Sequence, residues 1–283
     1  MRLYFVLSSS AHIESLNQMN VENILISYLN KNLVKKMVLD ETKTIIIDSG
    51  AFTTWTKGID IDIDKYIYFC HEIQMISKAK NVYCINLDVI PGRYGFIPNK
   101  EDIEKAAIQG WENYQKMKAA GLKVMHVFHQ HEDFKWLDKL MEDDSDYIGI
   151  SPANDLSSKK RLPWLQKVFS IVRQKKKTHG FGVTGTSLLR DIPFYSTDSS
   201  SWLSLVRYGN VAMYQDLLRG KKTLRYKNKE DAIELGFDIK SIGNDIESRR
   251  ALRQQLNKVI ASNLKMEKDI TRLWEVRGVK WDN

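Results

Sequence analysis

Thr44-Ile45-Ile46-Ile47-Asp48-Ser49-Gly50-Ala51-Phe52 decides the fold. A β-branched run fits a buried strand, the carboxylate stands at its end, and the Ser-Gly pair turns the chain. Outward from it the pattern recurs. Leu3–Leu7 runs into Ser8, Val82–Leu87 into Asp88, and Lys123–Phe128 into His129-Gln130-His131. Tyr147–Ile150 runs into Ser151-Pro152, Thr178–Val183 into Thr184-Gly185-Thr186, and Phe194–Thr197 into Asp198. Between these runs lie stretches with helical spacing: 21–38, 64–79, 101–120 closed by Gly121, 134–141, 163–174 with Pro163 in its first turn, and 187–191. Seven such units predict a parallel sheet, with an eighth strand inside 205–214 or at 223–227. An open doubly wound sheet fits that count too. Polar residues at nearly every strand end favour a closed barrel, whose strand ends meet at one mouth. The expected fold class is therefore α/β, a (β/α)8 TIM barrel over residues 1–218, its last strand reaching as far as 228. A basic, helical C-terminal extension over 219–283 completes it, with one long helix from 244 to 274.

Composition bounds the rest. The 283 residues are 43% hydrophobic and carry a net charge of +8, which excludes global disorder. Residues 219–283 hold 16 Lys/Arg against 10 Asp/Glu, so +6 of that charge lies there. Such a segment is either a solvated helical face or a phosphate-facing surface. The two cysteines, Cys70 and Cys84, exclude a disulfide framework and an all-cysteine zinc site, and suit a reducing cytoplasm. No apolar run approaches the ~20 residues of a membrane span. Met1–Ser10 reads as a strand rather than a signal peptide.

Three aspartates, Asp48, Asp88 and Asp198, follow apolar strands directly. Each either caps the next turn or sits partly desolvated at a site. Carboxylates there can attack a sugar carbon, shuttle protons, or accept hydrogen bonds from the donor edge of a base. A metal held by carboxylates with His126, His129 or His131 is the competing reading; strand parity sets His126 opposite the other two. Gly180-Phe181-Gly182-Val183-Thr184-Gly185 either packs tightly or lets backbone approach a flat ligand. Phe52, Tyr94 and Phe96 are candidate stacking partners for a base.

The order of these motifs resembles the tRNA-guanine transglycosylase superfamily across roughly residues 1–215. Asp48-Ser49-Gly50-Ala51-Phe52 carries the likeness, followed by Leu87-Asp88, Tyr147-Ile148-Gly149-Ile150-Ser151, the glycine segment and the late Asp198. The resemblance implies that Asp198 is the nucleophile at the ribose carbon and Asp48 the acid/base. It implies that Asp88 reads the base edge, with Ser49, Phe52, His129, Ser151, Gly182, Val183, Thr184 and Gly185 around the base. The tRNA enzymes' structural zinc motif is absent, so no cofactor is expected and the likeness leans to the short DNA-guanine transglycosylase branch of phages and DNA-modification clusters. The segment from Phe194 to Trp202 fits that branch. It implies replacement of guanine in DNA by a 7-deazaguanine such as preQ0, in the cytoplasm (the host's, for a phage protein). Arg249, Arg250 and Arg253 are the expected phosphate contacts. No membrane is expected as a partner, and a homodimer would match the pairing of related barrels. The alternatives are a tRNA-acting transglycosylase, a barrel hydrolase with a metal on Asp48, Asp88 and His129, and a non-catalytic nucleic-acid-binding subunit.

Overall fold

The computed structural model describes residues 1–92, 97–153, 155–208, 210–225 and 246–281, with side chains of 246–252 left aside. Its strands are β1 (Arg2–Val6), β2 (Asn23–Ser27), β3 (Thr44–Asp48), β4 (Asn81–Ile85), β5 (Val124–Met125) and β6 (Val127–His129). The series ends with β7 (Tyr147–Ser151), β8 (Lys177–Gly180), β9 (Ser196–Ser199), β10 (Asn210–Asp216) and β11 (Gly220–Arg225). Its α-helices are α1 (Ile13–Gln18), α2 (Lys31–Met37), α3 (Ala51–Trp55), α4 (Ile63–Ile76) and α5 (Lys100–Ala119). They continue as α6 (Phe134–Glu142), α7 (Ser158–Val172), α8 (Thr186–Asp191), α9 (Ser204–Tyr208) and α10 (Ile246–Val276). The fold class is the one expected, α/β with the parallel (β/α) units of a TIM barrel. Two compact units divide the chain: Glu22–Phe181, and Met1–Val21 with Gly182–Asn283.

In the unit Glu22–Phe181, β2, β3 and β4 pair in parallel in chain order, and β4 pairs with β5. β6 pairs with β7 and β7 with β8, again in parallel. β5 and β6 are halves of one expected strand, parted at His126, whose carbonyl still accepts from the Gly149 amide at 2.8 Å. Ile45, Ile46 and Ile47 are wholly buried, as a strand covered on both faces requires. Tyr66 of α4 reaches across two strand ends, its hydroxyl donating to the carbonyls of Ile85 (2.8 Å) and Ile47 (3.4 Å). It thereby fixes the backbone just ahead of Asp48 and Asp88.

In the other unit, β1 and β9 pair in parallel, with Tyr4 opposite Asp198. β10 and β11 form an antiparallel hairpin. α10 lies against both: the Leu3 amide donates to Glu267 Oε1 at 3.0 Å, and the Tyr214 amide to Ser262 Oγ at 2.7 Å. The expected long helix over 244–274 is this element, beginning at Ile246.

Several expectations need correction. Residues 21–38 are not one helix: β2 occupies Asn23–Ser27, and the Ser27 hydroxyl accepts from the Leu29 amide at 3.3 Å where the chain turns toward α2. β2 is the missing strand. Counting β5 and β6 as one, the described residues give six parallel strands in the unit Glu22–Phe181 and the pair β1 and β9 in the other. Of the region expected to hold the eighth strand, 205–208 lies in α9, 210–214 and 223–225 lie in the β10–β11 hairpin, and 226–228 lie outside the described residues. The glycine segment is strand only to Gly180, and Gly182 turns with φ +64°. Pro163 lies six residues into α7 rather than in its first turn.

Candidate functional site

At the ends of β3, β4 and β6, four polar side chains are linked in the unit Glu22–Phe181. Ser49 follows β3 and is buried, and its Oγ donates to Asp88 Oδ1 at 3.2 Å. Gly50 makes this turn possible: its φ is +82°, and a Cβ there would stand 2.9 Å from Leu29 Cγ. Asp88 follows β4, and its amide closes a tight turn onto the Asn86 carbonyl at 2.9 Å. Its other oxygen, Oδ2, lies 3.0 Å from His129 Nε2. The second ring nitrogen, Nδ1, lies 2.9 Å from Glu132 Oε1. A turn closed by the Glu132 amide on the His129 carbonyl (3.1 Å) brings that glutamate back onto the ring.

The electrostatics follow from this geometry. A neutral imidazole has one N–H, yet both nitrogens of His129 face carboxylates, so the ring donates twice only as imidazolium. Burial opposes the charge, but the Glu132 charge and the ring's hydrogen bonds to Asp88 and Glu132 outweigh it and raise the pKa to about 10. His126, three residues earlier, has the opposite setting. It is buried among aromatic rings, and Asn86 Nδ2 lies 3.0 Å from its Nδ1. The same amide group donates to the Gly110 carbonyl at 2.8 Å, which fixes its NH2 toward His126. Burial first, then the charge of His129, lowers the His126 pKa to about 3.

The other expected site residues are placed as follows. Asp48 ends β3 half-buried, opposite Ser27 in register. Ser151 ends β7 opposite His129, and its carbonyl accepts from the Gln130 amide at 3.0 Å. Phe52 projects from α3, 62% exposed, beside Trp55. His131 is exposed in the turn, so it does not share a strand face with His129. In the second unit, the Gly182 amide donates to Asp198 Oδ1 at 2.9 Å. Asp198 lies within β9 rather than beyond it. Val183 is fully buried, Thr184 half-buried, and Gly185 precedes α8. Arg253 is paired with Glu14 of α1. Arg249 and Arg250 lie on the backbone of α10, with side chains outside the described residues, as are Tyr94 and Phe96.

Ser49, Asp88 and His129 are thus brought together, with Ser151 beside His129, and Asp198 is tied to the glycine segment. Glu132 was missed. The His129-x-x-Glu132 spacing just past a strand was its only trace in the sequence. Among the described residues, no three His, Cys, Asp or Glu side chains group as a metal ion needs. Among them, no helix is long and apolar enough to cross a membrane.

No family model and no curated protein matches this chain. Among solved structures, it is similar to dihydrodipicolinate synthase from Bacillus clausii at 10% identity and TM-score 0.46, over 98% of each chain. It is similar to KGPDC from Streptococcus mutans at 10% identity and TM-score 0.46, over 96% of this chain and 98% of that one. Thiamine phosphate pyrophosphorylase from Pyrococcus furiosus is similar at 12% identity and TM-score 0.38, over 93% and 96%. Likeness at these values says nothing of what this chain acts on.

Proposed function

We propose that the chain is a base-exchange glycosyltransferase that replaces guanine in a polynucleotide, DNA rather than tRNA, with a 7-deazaguanine such as preQ0. The observation that carries the reading is the Asp88 carboxylate, held at one oxygen by Ser49 and at the other by His129. A carboxylate fixed in this way is an acceptor, and the Watson–Crick edge of guanine presents adjacent N–H donors to such a group. The family resemblance assigns the remaining roles. Asp198 attacks C1′ of the nucleotide, the C1′–N9 bond breaks, and Asp48 gives the departing guanine its proton. The incoming base returns a proton to Asp48 and attacks C1′, which frees the Asp198 carboxylate. Atoms and charge balance without a cofactor, and the covalent step holds the sugar until the new base arrives. The hydrogen bond from Gly182 to Asp198 supports this role by orienting the carboxylate.

The basic segment 219–283 is the part of the chain suited to a polyanion. Because Arg253 is taken up by Glu14, Arg249 and Arg250 are its stronger phosphate candidates. The cytoplasm supplies both substrates in this reading.

The test incubates the protein with DNA and with tRNA, each with preQ0 and with labelled guanine, and follows nucleosides by mass. Exchange into DNA is expected. Asp198→Ala should abolish it while circular dichroism stays unchanged. Exchange into tRNA alone would move the substrate to RNA, and full activity in the variant would remove Asp198 from the chemistry.

A further inference from the structure

We propose that Glu132 is a positioning residue: through the His129 ring it fixes the Asp88 carboxylate as an acceptor for a ligand edge carrying adjacent N–H donors. This inference rests on the base-binding role proposed above for Asp88.

Geometry carries it. Asp88 follows its strand in a loop, so its carboxylate would turn freely about its side-chain bonds unless held. Ser49 holds Oδ1 at 3.2 Å and His129 holds Oδ2 at 3.0 Å, which sets the plane of the group. Each oxygen keeps one lone-pair direction for a ligand. His129 can donate to Asp88 and remain in place only if its far nitrogen is also satisfied, and Glu132 Oε1 does so at 2.9 Å. The three side chains are largely sheltered, at 21% exposure for His129, 15% for Asp88 and 12% for Glu132, so water competes weakly for these bonds. The groups facing the ring are the two carboxylates, with His126 as the nearby basic group.

Two carboxylates against one imidazolium leave the cluster with a net charge of −1. A ligand edge with two donors answers that charge. An edge that offers an acceptor, as the carbonyl of a pyrimidine-2-one or the ring nitrogen of adenine does, would face an acceptor-only group and be rejected. Glu132 therefore contributes to specificity without touching the ligand.

Protein labelled with 15N-histidine and 13C-aspartate, in wild-type, Glu132→Gln and Glu132→Asp forms, tests this at pH 8. His129 is assigned with a His129→Gln sample, and Asp88 with Asp88→Asn. The wild-type ring is expected with both nitrogens protonated. Glu132→Gln should return His129 to a neutral ring and shift the Asp88 carboxyl signal, and Glu132→Asp should restore both in part. Guanine titrated into the same proteins should bind about 10-fold more weakly to Glu132→Gln. Unchanged His129 and Asp88 signals in a folded Glu132→Gln variant would overturn the proposal, as would guanine affinity equal to wild type. If wild-type protein binds no guanine yet the two signals move as expected, the base reading fails and the positioning of Asp88 by Glu132 stands.

Discussion

His126 and His129 are three residues apart on one interrupted strand, yet at neutral pH the first is uncharged and the second a cation. His126 lies where β5 gives way to β6, 4% exposed, with an Asn amide pointing N–H at its ring and Trp111 and Tyr114 around it. His129 ends β6 between two carboxylates. Inside the sheet a histidine is a neutral aromatic that happens to accept a hydrogen bond. At the strand end the chain leaves the packed layer, loops supply acids, and the same side chain is a cation at neutral pH. The difference teaches that position along a strand, more than residue type, decides whether a polar group is packing or chemistry.

The largest effect that would break the comparison lies at His126. Its pKa in the folded protein is about 3, against an ordinary 6.5 in the unfolded chain. Below pH 6.5 the unfolded chain takes up a proton that the folded protein refuses, so stability falls as the pH drops toward 3. At about 1.4 kcal/mol per pKa unit, the loss is on the order of 4 kcal/mol. Urea titrations from pH 7 to pH 4 should show this slope in wild type. It should be missing from His126→Gln, which is less stable at pH 7 but stays neutral. Parallel pH profiles for the two proteins would mean that His126 is not held neutral.

A smaller effect, of opposite sense in pH, belongs to His129. Its folded pKa of about 10 lies above the ordinary 6.5. Its contribution is complete below pH 6.5 and is lost as the pH rises through 10, because the folded state then gives up a proton it had held more tightly. Partial exposure reduces the amount to about 2 kcal/mol. Stability measured between pH 6.5 and pH 10 should fall more steeply in wild type than in His129→Gln. Equal slopes would place the ring outside the two carboxylates in solution.

What the sequence made legible follows the same division. β3 was plain because the β-branched run Thr44-Ile45-Ile46-Ile47 ends directly in Asp48-Ser49-Gly50, a turn signal, and Asp48 came with it. The strand-parity argument set His126 opposite His129 and His131, but the strand is interrupted at His126 and His131 stands exposed in the turn, so what separates the first two is burial rather than parity. β2 was hidden because Ile24, Leu25, Tyr28, Leu29, Leu33 and Val34 keep near-helical spacing across a strand, a turn and a helix. A short apolar run has no period of its own to contradict the neighbouring one. With β2 lost, the count fell one strand short, and the eighth was sought in residues that pair as a hairpin. Glu132 was invisible for a different reason. Its contact with His129 is made by a turn, and a His-x-x-Glu spacing past a strand has no preferred reading until that turn is known. The link between Ser49 and Asp88 is likewise a contact across 39 residues, which no local pattern encodes.

The smallest effect sharpens the comparison from the Ser49 side. Ser49 is 1% exposed, and its hydroxyl donates to Asp88 while accepting from the Ala51 amide at 3.3 Å. In a packed region, losing a buried hydroxyl would leave a partner unsatisfied, as removal of the His126 ring would leave the Asn86 amide. Here the Ala51 amide would lose a long acceptor contact, but Asp88 keeps the stronger, charge-assisted bond from His129. Ser49→Ala should therefore cost only about 1 kcal/mol in thermal or urea unfolding at pH 7. The alkaline slope due to His129 should persist, because Asp88 and Glu132 still flank the ring. A loss of several kcal/mol would show that Ser49, rather than His129, is the principal restraint on Asp88. The strand-end cluster would then depend on close packing as the His126 cluster does, and the distinction between the two histidines would narrow to charge alone.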